Sequence, residues 1–193
     1  MKSQSRVLIT SEIRDSSFLG KVMSMRGAEN VLDCIQCGVC AGSCPAAWAM
    51  DFFPMHINKM IHLGMKETVL SSSTIWICAS CYTCATRCPR SIDIPLLMSG
   101  LKNMAMREKI PAKIEIKPRF HKSFAAVIEK YGRMYEPELY LKVADKTNVG
   151  ALMHSAVLGF RLLKKGKIKL RPEQMKHKEQ LLTIFERGSK EEH

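Results

Sequence analysis

Cys34-Ile35-Gln36-Cys37-Gly38-Val39-Cys40-Ala41-Gly42-Ser43-Cys44-Pro45 is matched in spacing by Cys78-Ala79-Ser80-Cys81-Tyr82-Thr83-Cys84-Ala85-Thr86-Arg87-Cys88-Pro89. Each copy reads C-x2-C-x2-C-x3-C-P, and together they use all eight cysteines of the 193-residue chain. Thiolates are soft ligands that suit both zinc and iron–sulfur clusters, and spacing separates the two. Zinc sites pair C-x2-C units across a longer loop. Three cysteines at steps of three, then a fourth just ahead of a proline, instead bring sulfur to a compact cubane and mark 4Fe–4S binding. Two copies predict two 4Fe–4S clusters, with a zinc module the weaker alternative.

The doubled motif predicts crossed ligation. Cys34, Cys37 and Cys40 are expected to hold one cluster with Cys88, and Cys78, Cys81 and Cys84 the other with Cys44. Each fourth cysteine is carried away from its own triplet by the turn that Pro45 or Pro89 enforces, so the clusters lie close together, as an electron relay requires. Gly38 and Gly42 allow close backbone approach and N–H donation to cluster sulfur. Trp48 and Trp76 flank the runs, and core packing is favoured over cluster shielding for both. Arg87 and Arg90 flank Cys88, where positive charge would raise a cluster potential, form a docking contact or simply face water.

With every thiol assigned, none remains for a third cluster, a redox disulfide or a nucleophile. Neither G-x-G-x-x-G nor G-x-x-x-x-G-K-[ST] occurs, so neither nucleotide-binding mechanism is supported. His56 and His62 stand six apart on an expected helix and do not share a face, while His121, His154 and His177 are scattered. All five are read as surface or packing residues. The 13 methionines suit adaptable packing better than soft-metal binding. No catalytic residue is visible, and the chemistry expected is electron transfer.

The formal net charge is +12, unevenly spread. Residues 1–100 carry 9 basic against 7 acidic side chains, and residues 101–193 carry 21 against 11. A thiolate-ligated cubane adds negative charge, so a near-neutral to acidic redox half precedes a basic half. A basic half suits an acidic partner, nucleic acid or an anionic membrane, or is a solvated surface. The cysteine spacing and the lack of an apolar leader at the N-terminus argue against a secreted disulfide framework and for thiols held in a reducing cytoplasm. No apolar run is long enough to span a membrane.

The elements that must position the cysteines read as helices. Ser16 or Ser17 is expected to cap a helix through Phe18, Leu19, Val22 and Met23 to about Gly27, after an extended arm over residues 1–14. Between the runs, Pro54 opens a helix through Ile57, Met60, Ile61 and Met65 to Leu70, ended by Ser71-Ser72-Ser73. Another runs from Pro95 to Ala105. Helices after both cysteine runs predict a mainly α fold, an α-helical ferredoxin core binding two 4Fe–4S clusters with a helical C-terminal extension. The expected organisation is a ferredoxin domain over 1–107, an extended linker over 108–120 around Pro111 and Pro118, and a basic helical extension over 121–193 that binds a partner or, as the alternative, wraps back on the ferredoxin core. In the extension, helices are expected on the Phe124–Tyr131 face, over Glu138–Val143, over Leu152–Leu163 with Gly166 as cap, and from Arg171-Pro172-Glu173 onward.

On Asp33–Pro45 and Trp76–Pro89, the helical insert, the overall length and the basic tail, the chain resembles the C subunits of the heterodisulfide reductases of methanogens and their relatives. It differs from succinate dehydrogenase iron–sulfur subunits, which share the motif but carry an additional plant-type ferredoxin domain. The resemblance implies a non-catalytic electron-transfer member of an oxidoreductase complex. It would relay electrons from the flavin-containing iron–sulfur A subunit to the catalytic B subunit, which reduces CoM-S-S-CoB. A hydrogenase or formate dehydrogenase would be attached in soluble, bifurcating complexes. No CCG motif of the catalytic component is present. An equivalent relay in another heterodisulfide-reductase-like oxidoreductase is the alternative. A cluster-stabilised nucleic-acid-binding module is remote, since the basic helices carry no recognition motif or aromatic platform.

Overall fold

In the computed structural model the described residues are Asp15, 17–144, 149–167, 171, 172, 175 and 178–191. Among them the chain is helical and contains no strand. The arm expected over 1–14, Ser16, Glu173, His177 and the side chain of His154 lie outside the described residues. The chain divides into two compact units, residues 1–115 and 116–193.

In the first unit, α1 (Phe18–Met23) follows Ser17, whose hydroxyl donates to the Asp15 carboxylate at 2.6 Å instead of capping the helix. It stops at Met23, earlier than its apolar pattern suggests, and Gly27 then turns the chain at φ +82°. The first cysteine run contains the short α2 (Val39–Gly42). The insert between the runs is three helices in place of one: α3 (Pro54–His62), α4 (Lys66–Ser71) and α5 (Ser73–Ile77). Pro54 opens α3 as expected, because its missing N–H costs nothing in a first turn. The continuous helix through Gly64 is broken there. Gly64 lies at φ +69°, its carbonyl accepts the Asp15 N–H at 2.9 Å, and a Cβ would meet the Asp15 oxygen at 3.0 Å. A close approach of backbone to backbone, which only glycine allows, overrides the apolar periodicity.

After the second run and its short α6 (Thr83–Thr86) comes α7 (Ile94–Arg107), the spine of the unit. Asp93 caps it by accepting the Leu96 N–H at 3.0 Å. Helices α1, α4, α5 and α6 all pack on α7. Leu97, Met98 and Leu101 of α7 are buried with Phe18, Ile57, Ile61, Leu70 and Ile75 in one core. Replacing a core leucine such as Leu97 by alanine would cost about 2–5 kcal/mol.

One carboxylate ties the two cysteine segments together. Asp51, just beyond the first run, accepts the N–H groups of Ser73 and Thr74 at 3.0 Å each, so it caps α5, the helix that leads into Cys78. The Thr74 hydroxyl, at 2.7 Å, and the Lys113 ammonium, at 2.9 Å, also meet it. Burial would raise its pKa, but the Ser73 N–H, Lys113 and Thr74 outweigh that and hold the carboxyl well below the usual carboxylate range.

In the second unit, α8 (Ile116–Tyr131) takes Lys117 and Pro118 into its first turn, where a proline is tolerated, although they read as extended chain in the sequence. It pairs with α9 (Glu136–Val143). Glu138 accepts the Tyr131 hydroxyl at 2.5 Å and the ammonium groups of Lys130 and Lys142 at 3.0 and 2.9 Å, contacts that lower its pKa to about 2. Next, α10 (Val149–Lys164) ends on Gly166 at φ +65°, whose N–H reaches the Leu163 carbonyl, as the sequence leads one to expect. Finally α11 (Lys178–Glu191) starts later than Arg171-Pro172 suggests, and those two residues are not helical. Among the described residues no helix is long and apolar enough to cross a membrane.

Asp51→Ala is expected to destabilise the first unit by about 1–3 kcal/mol, the cost of leaving buried donors unpaired. Because the carboxyl pKa is depressed on folding, its contribution is complete above the ordinary value of 3.8 and fades as pH falls below it. Thermal midpoints of wild type and variant, measured from pH 7 downward, should therefore converge at acid pH.

Candidate metal centre

The two cysteine runs adopt the same backbone. Gln36 and Gly38 lie at φ +56° and +79°, and the equivalent Ser80 and Tyr82 at φ +50° and +61°. Each pair of left-handed residues folds the C-x2-C segment into a tight loop. The short helix that follows, α2 or α6, begins directly at the third cysteine's turn. The two short helices pack against each other. Left-handed Ser80 and Tyr82 cost about 1–3 kcal/mol each, a strain typical of sites where surroundings dictate the backbone.

Two pockets flank this helix pair. One is lined by Cys34, Cys37, Cys40 and Cys88, together with Met55 and Asn58 of α3 and Arg90. The other is lined by Cys44, Cys78, Cys81 and Cys84, together with Tyr82 and Met98. Each pocket therefore gathers three cysteines of one run and the last cysteine of the other. Ile94, buried at the start of α7, lines both and separates them. Arg90 joins the runs near the first pocket: its Nε donates to the Asp33 carbonyl at 3.2 Å, and its guanidinium lies 3.6 Å from the Asp33 carboxylate. Both side chains are about half exposed, so the ion pair contributes little beyond alignment.

The thiols are free and unequal. Cys37 and Cys81, the second of each run, are exposed, while Cys84 is buried. Burial pushes the Cys84 thiol up to about 11, and the nearby sulfurs of Cys78 and Cys40 push in the same direction. Burial likewise raises Cys40, reinforced by Cys34 and Cys37. Thr83 acts oppositely on Cys81, lowering it through the side-chain contact at 3.5 Å. Donors already address two sulfurs of the first pocket: Gln36 Nε2 lies 3.2 Å from Cys34 Sγ and the Ile92 N–H 3.4 Å from Cys88 Sγ.

This donor set suits a positively charged cluster with several iron corners. Four thiolates around one space repel one another unless cationic metal lies between them, and soft sulfur matches iron. Zinc at about 2.3 Å from each sulfur would need the thiols to converge on a point. Among the described residues no three His, Cys, Asp or Glu side chains gather tightly enough to hold a single ion, and the cysteines ring pockets instead.

Several residues near the runs differ from their sequence reading. Trp76 is a core residue at 3 % exposure, as expected, but Trp48 is 89 % exposed and packs in no core. His62 is a packing residue whose Nε2 lies 2.8 Å from the Val31 carbonyl. Asn58, which sequence reasoning passed over, is fully buried, and its Nδ2 and Oδ1 have no hydrogen-bond partner among the described residues. An asparagine in the Met55–Asn58–His62 row of a helix reads as a surface residue, so only its burial reveals it.

Residues 30–92 match the family of 4Fe-4S dicluster domains. The helical fold and the two cysteine-lined pockets give the first unit the architecture of an α-helical ferredoxin core. The chain is similar to the C subunit of the H2:CoB-CoM heterodisulfide,ferredoxin reductase of Methanothermobacter marburgensis, with 30% identity over 118 residues, 61% of this chain and 60% of that protein. It is also similar to the iron-sulfur C subunit of the CoB–CoM heterodisulfide reductase of Methanopyrus kandleri, with 36% identity over 84 residues and 44% of each chain. The C subunit of the ferredoxin:CoB-CoM heterodisulfide reductase of Methanosarcina acetivorans is 44% identical over 77 residues, 40% of this chain and 31% of that one. The resemblance carried by the cysteine motifs is therefore to heterodisulfide reductase C subunits, and the chain spans 60% or less of these relatives' lengths.

Exposure orders the thiols, and the lowered pKa of Cys81 and raised pKa of Cys84 act in the same direction. In metal-free reduced protein near pH 8, iodoacetamide should modify Cys37 and Cys81 first and Cys84 last, followed by mass spectrometry of timed digests. Equal rates at all eight positions would contradict the burial pattern.

Proposed function

We propose that the chain is the two-cluster electron relay of a heterodisulfide-reductase-type complex. Cys34, Cys37, Cys40 and Cys88 hold one 4Fe–4S cluster, and Cys44, Cys78, Cys81 and Cys84 hold the other. The observation that carries this reading is the membership of the two pockets, each lined by three cysteines of one run and the fourth of its counterpart. When bound, such clusters supply reversible one-electron storage at a potential set by charge, hydrogen bonds and exposure. The protein's residues do the rest. The left-handed loops aim the thiolates inward, α7 and the Asp51 cap fix the two runs against each other, and Ile94 keeps water from the wall between the pockets while holding them adjacent. Exposed Cys37 and Cys81 give each pocket an edge toward solvent, where electrons enter and leave.

The partners follow from the similarity to C subunits. The flavin- and iron–sulfur-containing A subunit donates electrons, and the disulfide-reducing B subunit accepts them, with CoM-S-S-CoB as terminal oxidant. A hydrogenase or formate dehydrogenase would complete the assembly. The basic second unit is the fastening to them. Among its described residues Val127 and Tyr131 are the buried hydrophobic side chains, whereas Leu141, Met153, Val157, Phe160 and Ile184 are exposed, an amount of apolar surface suited to burial against another chain.

Anaerobically purified protein should contain about eight iron and eight sulfide per chain. Cys88→Ser should alter the cluster held by Cys34, Cys37 and Cys40, read by electron paramagnetic resonance. An effect confined to the other cluster would reverse the assignment. Deleting residues 116–193 should leave the iron content unchanged and abolish co-purification of the partner proteins, and retained co-purification would show that the first unit carries the docking surface.

A further inference from the structure

We infer that the side-chain amide of Asn58 is a hydrogen-bond donor to the cluster in the first pocket and sets its reduction potential. This rests on the cluster assignment proposed above. Asn58 lies on α3 at 0 % exposure, and neither its Nδ2 nor its Oδ1 meets a partner among the described residues. Buried amides are almost always paired, because an unmade hydrogen bond forfeits the solvation of both ends. Its helix neighbours Ile57 and Ile61 enter the apolar core, so an aliphatic residue would suit position 58 if packing alone mattered.

The position of Asn58 explains the exception. It lines the pocket with Cys34, Cys37, Cys40 and Cys88, and it stands in the same helical row as Met55, which lines that pocket too. Thiolate and sulfide are acceptors only. They complement the NH2 end of the amide, and a half-turn about the last side-chain bond presents that end to them. The donor is uncharged and does not compete as a ligand. Gln36 and the Ile92 N–H already address the sulfurs of Cys34 and Cys88, and Asn58 adds a further donor from α3. Reduction places an extra negative charge on the cluster, so each such bond strengthens on reduction and raises the potential.

The test uses the full chain, anaerobically reconstituted, with Asn58→Leu as the variant: similar volume, no donor. Redox titration followed by electron paramagnetic resonance reads both clusters, and the signal altered by Cys88→Ser identifies the first. Asn58→Leu should leave the iron content unchanged and make reduction of the first cluster about tenfold less favourable, a fall of about 59 mV for one electron. The second cluster should keep its potential. Full iron content with an unmoved first potential would overturn this inference alone. A wild-type chain that takes up no iron would overturn the cluster assignment and this inference with it. Should Asn58→Leu fail to fold, pulsed resonance on wild-type protein with isotopically labelled asparagine side-chain nitrogen decides the matter. A hyperfine coupling to the reduced first cluster supports the bond, and its absence refutes it.

Discussion

Eight thiols line two pockets, and burial together with neighbouring sulfur makes Cys40 and Cys84 harder to ionise. Cys84 shows the strain most clearly: burial drives its pKa up, and the sulfurs of Cys78 in its own run and Cys40 in the other add to it. Such a site is complete only when positive charge occupies the space between the sulfurs, which couples the folded geometry to its metal. The rest of the first unit serves that constraint. Its hydrophobic core is built from α1, α7 and the helices of the insert; Cys84 is part of that core, and Cys34, Cys40, Cys78 and Cys88 pack against it.

Two devices hold the runs in register against that repulsion. One is a repeated backbone, with left-handed residues at Gln36 and Gly38 in one run and at Ser80 and Tyr82 in the other. Glycine takes that conformation freely in one copy. In the other copy Tyr82 must be forced into it, so the packing of α6 on α2 and α7 has to supply the difference. The second device is the Asp51 cap, which converts the unsatisfied N-terminus of α5 into a clamp between the end of the first run and the start of the second.

The two units differ in how they treat apolar surface. In the first, aliphatic side chains disappear into a common core. In the second, α10 displays Met153, Val157, Leu158 and Phe160 to solvent next to basic Arg161 and Lys164. Between α8 and α9 the Glu138 carboxylate meets Tyr131 and Lys130 of α8, while Lys142 braces it from within α9. The described part of the second unit thus combines exposed apolar side chains with an excess of basic ones, the features on which the proposed docking role rests.

Much of the site was legible from spacing, because a C-x2-C-x2-C-x3-C-P run imposes its geometry through covalent chain length alone. Pro54 and Pro95 marked the starts of α3 and α7 for an equally local reason, a missing donor that a first turn tolerates, and the structure adds the Asp93 cap. What sequence could not reveal depended on chain segments distant in sequence. The helix through Gly64 breaks because the backbone at Asp15 docks there, and α5 exists with its cap because Asp51 reaches across 22 residues to it. Trp48 and Trp76 look alike beside their cysteines, yet one is exposed and the other buried. Asn58 looks like any polar residue on a helix until packing closes over it. The sequence by itself determined which atoms are available as ligands and roughly how far apart the chain can hold them. The doubled run also predicted how the eight thiols divide; only the tertiary structure decided which helices bring them together and that Asn58 is buried beside one group, since both depend on how α2, α3, α6 and α7 pack across the whole unit.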